Sequence, residues 1–183
     1  TREAPPVVRQ EDEMDFFEVI RTRRSIRRFE DRPVEEEKLT AILEAADAAP
    51  SAGNLQAYEI YLVRAPDVLA RLAGVIDNMD FFNEAPIVLA FCANPERAVL
   101  RYSERGRTLY SVQDATIACT QAMLAATALG LASVWVGAFQ ERAVAEALSL
   151  PSSVRPVALL PIGYPGETVE PRSRRAVGDL VHP

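Results

Sequence analysis

Apolar positions along the chain alternate between helical and extended spacing. Asp15 followed by Glu18 marks the start of a short helix, with Met14 and Val19 at staple spacing. From 35 to 49, Leu39, Ile42, Leu43 and Ala46 recur at helical spacing behind Glu35, Glu36 and Glu37, whose charges suit the positive end of a helix dipole. Pro50 ends that helix, because a residue before proline is pushed out of the α region. Ala57 to Val63 reads as a buried strand, and Pro66 opens a helix carrying Leu69, Leu72 and Ile76. Ile87 to Ala93 is apolar at every position, which predicts a strand at the centre of a sheet. Pro95 suits the first turn of the next helix. Thr108 to Leu129 predicts the longest helix, closed by Gly130. Its alanines, with Cys119, Met123 and Leu124, leave little polar circumference, so it is buried in the domain or in a subunit interface. Ala132 to Phe139 predicts a third strand, Glu141 to Leu148 a short helix and Val154 to Ile162 a fourth strand. Helices outnumber strands without strict alternation, and the expected class is a layered α+β domain. Residues 1–13 read as a polar lead-in, 14–183 as a single domain, and the tail from about 163 as a Gly-, Pro- and charge-rich extension.

Composition changes this picture at one stretch. The chain has 183 residues, is 49% hydrophobic and 25% charged, and carries a formal net charge of −6. That balance argues against nucleic acid or an anionic membrane as the main partner. Cys92 and Cys119 lie in apolar runs, as buried thiols of a reducing compartment do, and no span is long enough for a bilayer; a cytoplasmic protein is expected. Against the acidic background, Arg21 to Phe29 packs five arginines and a hydroxyl into nine residues. Extended geometry after Ser25 puts Ser25 and Arg27 on one side, where a hydroxyl and a guanidinium fork can share the oxygens of a phosphate. A solvated basic turn or a small nucleic-acid patch is the alternative. Arg172, Arg174 and Arg175 form a second basic cluster.

The loop Pro50-Ser51-Ala52-Gly53-Asn54-Leu55-Gln56 is either a plain turn or a ligand clamp. In the second case Gly53 admits close backbone approach, and the Asn54 and Gln56 amides pair with the edge of a heterocycle. Phe81-Phe82 is either a core plug or an aromatic lid. No G-x-G-x-x-G, Walker loop or G-x-S-x-G elbow is present. One histidine, His182, and two apolar cysteines make neither a nucleophilic triad nor a usual zinc site. No side chain reads as a tuned general base, so a borrowed cofactor, or no catalysis, is expected.

Taken in order, these segments resemble the FMN-dependent nitroreductase family. The likeness is carried by Arg23-Arg24-Ser25-Ile26-Arg27, Pro50 to Gln56, Leu129-Gly130-Leu131 running into Ser133 to Phe139, and Arg172-Ser173-Arg174. Arg107 to Ala118, with Tyr110, Gln113 and Asp114, is similar to the family's lead into its central helix. Ala57-Tyr58 departs from the Pro-Trp that many members carry there. The resemblance implies a mixed, mainly antiparallel sheet flanked by helices, in an intertwined homodimer with flavin at the interface. It places Arg23, Arg24, Ser25 and Arg27, with Arg172 and Arg174, on the FMN phosphate and ribityl chain. Pro50, Ser51, Ala52, Asn54 and Gln56 would lie along the flavin from the opposite subunit, and Trp135, Val136, Gly137 and Ala138 near its N5. Tyr58, Phe81 and Phe82 are the candidates for substrate contact; no catalytic side chain and no metal are implied. The implied activity takes a hydride from NAD(P)H onto FMN and passes electrons to a flat acceptor such as a nitroaromatic or quinone. A non-catalytic FMN sensor or carrier is the alternative, as is a family relative acting as a dehalogenase or metabolite dehydrogenase.

Overall fold

Caps and prolines begin three of the six α-helices among the described residues. In the computed structural model, which describes residues 14–76 and 80–182, α1 (Phe16–Thr22) is capped by Asp15. Its carboxylate accepts the Phe17 N–H at 2.8 Å and the Glu18 N–H at 3.2 Å. α2 (Glu36–Asp47) turns Leu39, Ile42 and Ala46 inward. α3 (Pro66–Val75) and α4 (Pro95–Arg105) both open on proline, whose missing N–H costs nothing in a first turn. The long helix begins later than its pattern suggests. Residues Gly106–Tyr110 form a π-helical turn continuous with α4, and α5 spans Ser111–Ala128. Gly106 sits in that joint because a Cβ there would lie 2.6 Å from the Ala98 carbonyl oxygen. α6 (Glu141–Ala147) is short. The predicted lead-in 1–13 lies outside the described residues.

β1 (Tyr58–Val63), β2 (Ile87–Ala93), β3 (Ala132–Ser133) and β4 (Arg155–Gly163) form one antiparallel sheet in the order β1-β2-β4-β3. β2 is buried along its whole length, as its unbroken apolar run predicts. Its alternate side chains feed two cores, one on each face. Val88, Ala90 and Cys92 meet Leu72 of α3, Val144 of α6 and the Phe81–Phe82 pair. Ile87, Leu89 and Phe91 meet Ile42 of α2 and Ala118, Cys119 and Ala122 of α5. The result is helix, sheet and helix in layers, an α+β arrangement.

The third strand is shorter than the expected 132–139. After Ser133 the ladder stops, and pairing resumes only where Val136 and Leu159 exchange N–H···O bonds of 2.9 Å. Register does not slip across the gap: Ala132 faces Gly163, Ser133 faces Ile162 and Val136 faces Leu159. Continued evenly, it sets Val134 against Pro161, which has no N–H to give. The strand is therefore extended but unpaired there. On its outer edge Ser25 bridges Ser133 in parallel, and the Ile26 N–H reaches the Ser133 carbonyl at 3.1 Å. The arginine segment is thus stitched to the sheet as a partial fifth strand.

Ser133 Oγ is the single buried side-chain polar atom without a hydrogen-bond partner among the described residues. A hydroxyl so placed opposes folding. Ser133→Ala should leave stability unchanged or raise it by up to about 1 kcal/mol. Thermal unfolding checks this, and a lowered midpoint would mean that the hydroxyl has a partner.

Candidate functional site

The two arginine clusters, one at each end of the sequence, meet in one cleft of about 630 Å³. Arg23, Ser25 and Arg27 line it from the extended segment after α1, and Arg172 and Arg174 line it from the tail. Alternation buries Ile26, between Ser25 and Arg27, behind them, and Phe29 is buried further along. Arg24 also borders the cleft, but its guanidinium turns back onto the end of α1. It donates to the Arg21 carbonyl at 2.8 Å and the Arg23 carbonyl at 2.9 Å, answering the negative end of that helix. The Arg27 N–H donates to the Glu167 carboxylate, and the Gly166 N–H to the Arg28 carbonyl at 2.8 Å, which ties the tail alongside.

Charge in the cleft is unbalanced. Among the described residues, none of Arg21, Arg23, Arg24, Arg27, Arg172 and Arg174 reaches salt-bridge distance of a carboxylate. Burial, then Arg174 and Arg24 nearby, hold the Arg23 pKa below the usual arginine value. A half-buried guanidinium crowded by two others gains from an anion beside it. The cleft volume lies within the range for small-ligand sites.

A second cavity, of about 410 Å³, lies between the 50–56 loop and α5. Pro50, Ser51 and Ala52 form one wall, and Tyr110, Gln113 and Ile117 the other. The loop has a fixed and unusual shape, with φ of 57° at Gly53, 56° at Asn54 and 49° at Gln56. Ser51 Oγ accepts the Gln56 N–H at 2.9 Å, and Arg97 donates to the Gln56 carbonyl at 2.7 Å. The left-handed φ favours glycine at 53, where a Cβ would also push aside the ends of the Tyr102 and Arg101 side chains. The two cavities share no lining residue.

Sequence comparison decides what this arrangement belongs to. The sequence profile of the Nitroreductase family matches residues 20–79 and 77–164, more than half of the chain. The chain belongs to the nitroreductase family. A protein of Thermus thermophilus named NADH dehydrogenase is 34% identical over 179 residues, covering 83% of this chain and 87% of its own. The FMN reductase [NAD(P)H] of Bacillus subtilis is 32% identical over 157 residues, covering 79% of this chain and 63% of that protein. Among solved structures, the NADPH:FMN oxidoreductase of Vibrio harveyi complexed with NAD+ superposes with a TM-score of 0.84 at 27% identity, covering 92% of this chain and 76% of that one.

In this nitroreductase-family chain the remaining sequence candidates fall in different places. Gly137 and Ala138 are exposed just past the β3 edge, whereas Val136 is buried and Trp135 half-buried against the α5 side. Asn54 is exposed and Gln56 half-buried. Tyr58, Phe81 and Phe82 lie away from both cavities. Tyr58 is buried with its hydroxyl donating to the Ala46 carbonyl at 3.0 Å, and the two phenylalanines stack at 5.2 Å inside the core. All three rings are engaged in packing within this protomer. Burial pushes the Cys92 thiol up to about 12 and raises Cys119 further, so neither is a nucleophile. Sequence reasoning named Asp114 only as part of the stretch leading into the central helix and gave it no role. The residue was visible as a carboxylate on an otherwise small and apolar helix, but not as a partner of the loop.

Proposed function

We propose that this chain is an FMN-dependent oxidoreductase of the nitroreductase type, using NAD(P)H as donor and a flat oxidised acceptor such as a nitroaromatic or quinone. The observation that carries the reading is the cleft of arginines without carboxylate partners in an acidic member of this family. FMN suits it: one end of the molecule is a phosphate, and the rest is long enough to extend from a basic cleft. Arg23, Arg24, Ser25 and Arg27, with Arg172 and Arg174, would hold the phosphate and ribityl chain. Trp135, Val136, Gly137 and Ala138 would border the ring. When bound, FMN supplies two-electron chemistry between a nicotinamide and an acceptor, which no side chain of this protein can perform. The chain's own part is to bind the anionic end, orient the ring and shield it from water.

Residues 14–183 act as one domain whose extension from about 163 completes the site. Pro50, Ser51, Ala52, Asn54 and Gln56 come to the flavin from a second copy, so the working unit is a homodimer with two shared sites. Two features support this: the basic cleft and the loop cavity are separate within one protomer, and large apolar groups stand in water. Phe16 and Phe17 on α1 are 63% and 67% exposed, and Val177 on the tail is 74% exposed. A dimer would cover such groups. Two free buried cysteines fit a reducing cytoplasm. Among the described residues no helix is long and apolar enough to cross a membrane.

Purified protein should be yellow, bind one FMN per subunit and bleach rapidly on anaerobic mixing with NADH or NADPH. Light scattering should give a dimer. Flavin binding without bleaching by either donor would favour a non-catalytic FMN carrier. Failure to bind FMN would overturn the reading altogether.

A further inference from the structure

A buried carboxylate holds the loop before β1 in its unusual shape. Asp114, in the first turn of α5, is 2% exposed. One of its oxygens accepts the Ala52 N–H at 2.9 Å, and the other accepts the Ala57 N–H at 3.2 Å. The two bonds straddle Gly53, Asn54 and Gln56, the residues with left-handed backbone. Glycine and asparagine adopt that region readily, but for glutamine it is strained and needs outside support. Among the described residues no cation pairs with Asp114. A charge is therefore kept out of water against two backbone donors, an arrangement that packing alone does not call for. Asp114 also borders the loop cavity beside Ser51 and Tyr110.

We propose that Asp114 is a positioning residue that fixes residues 52–57 in the shape presented to the flavin. This rests on the reading of the loop as part of a shared FMN site. Asp114 touches neither cofactor nor substrate in this scheme; it acts through the backbone of Ala52 and Ala57. Ser51 Oγ and Arg97 brace the same loop at Gln56. Asp114 alone reaches both ends, so its removal releases the loop as a unit.

The test uses full-length dimer carrying Asp114→Asn, which keeps the side-chain shape but turns an NH2 group toward one of the two backbone donors. Val144→Ala, which loosens the core on the opposite face of the sheet, serves as the control for lost stability alone. For Asp114→Asn we expect FMN binding to weaken about tenfold, the worth of a charge-assisted hydrogen bond. The visible circular dichroism of the bound flavin should change, and amides 52–57 should exchange faster in the FMN-saturated protein. Val144→Ala should show none of these. If Asp114→Asn does not fold, Asp114→Ser takes its place, since a water can occupy the vacated space between the two N–H groups. Parental FMN affinity, flavin dichroism and exchange in a folded Asp114 variant would overturn this inference alone, as would equal changes in Val144→Ala. A parent that takes up no FMN would overturn the proposed function and this inference together.

Discussion

Arg23→Ala should weaken FMN binding about 10- to 150-fold, because a hydrogen bond to a charged group contributes roughly 1.5–3 kcal/mol. Burial, then Arg174 and Arg24 nearby, lower the pKa of Arg23 in the cleft. That crowding predicts a second, opposite result. Without cofactor, removing Arg23 relieves repulsion, so the apo variant should unfold no earlier than the apo parent. Riboflavin, which lacks the phosphate, should bind parent and variant alike, and added salt should weaken FMN binding more in the parent. Parallel titrations with FMN and riboflavin, alongside thermal unfolding of the apo forms, separate the cases. If riboflavin affinity falls as far as FMN affinity, or apo stability drops, Arg23 supports the fold and not the phosphate.

Phe82→Ala is expected to act on stability and not on turnover. The ring is completely buried and stacked on Phe81 beneath β2. Emptying such a site costs about 3–5 kcal/mol. At about 2–4 °C per kcal/mol for a chain of this length, the midpoint should fall by roughly 6–20 °C. Well below that midpoint, flavin reduction by NAD(P)H and transfer to acceptor, per bound flavin, should stay at the parental rate. A variant with parental stability and altered acceptor preference would place the aromatic pair in the substrate pocket.

Local pattern carried most of the architecture. β2 is apolar at each residue because both of its faces are covered, and that run alone places it inside the sheet. Asp15, Pro66 and Pro95 mark helix starts because capping chemistry is local. That Ser25 and Arg27 share a face was legible because alternation in an extended segment is local. What escaped was set by partners distant in sequence. Nothing near Val134 shows that its register falls opposite Pro161, so the broken third strand could not be foreseen. The true start of α5 depends on how Gly106 packs against Ala98, again a tertiary matter. Phe81-Phe82 reads alike as plug or lid until the surrounding core is known. Asp114 looked like one more polar residue at a helix start, and its meaning appears only with the loop folded against it.

The edge contacts of the arginine segment also bear on the order in which the molecule can assemble. Ile26 pairs with Ser133, Phe29 with Pro165, and the cleft closes only when Arg172 and Arg174 arrive from the tail. These are among the longest-range contacts in the chain, and contacts of that kind form late because the intervening loop must first be closed. During synthesis the first cluster of cations emerges before its counterpart and waits until Arg172 and Arg174 have followed. Flavin therefore cannot template the first folding steps. It enters as a final lock, stabilising the finished assembly by mass action in proportion to its free concentration. Cells short of flavin should accumulate a correctly layered but open-ended protein, with the tail as its first point of proteolytic attack.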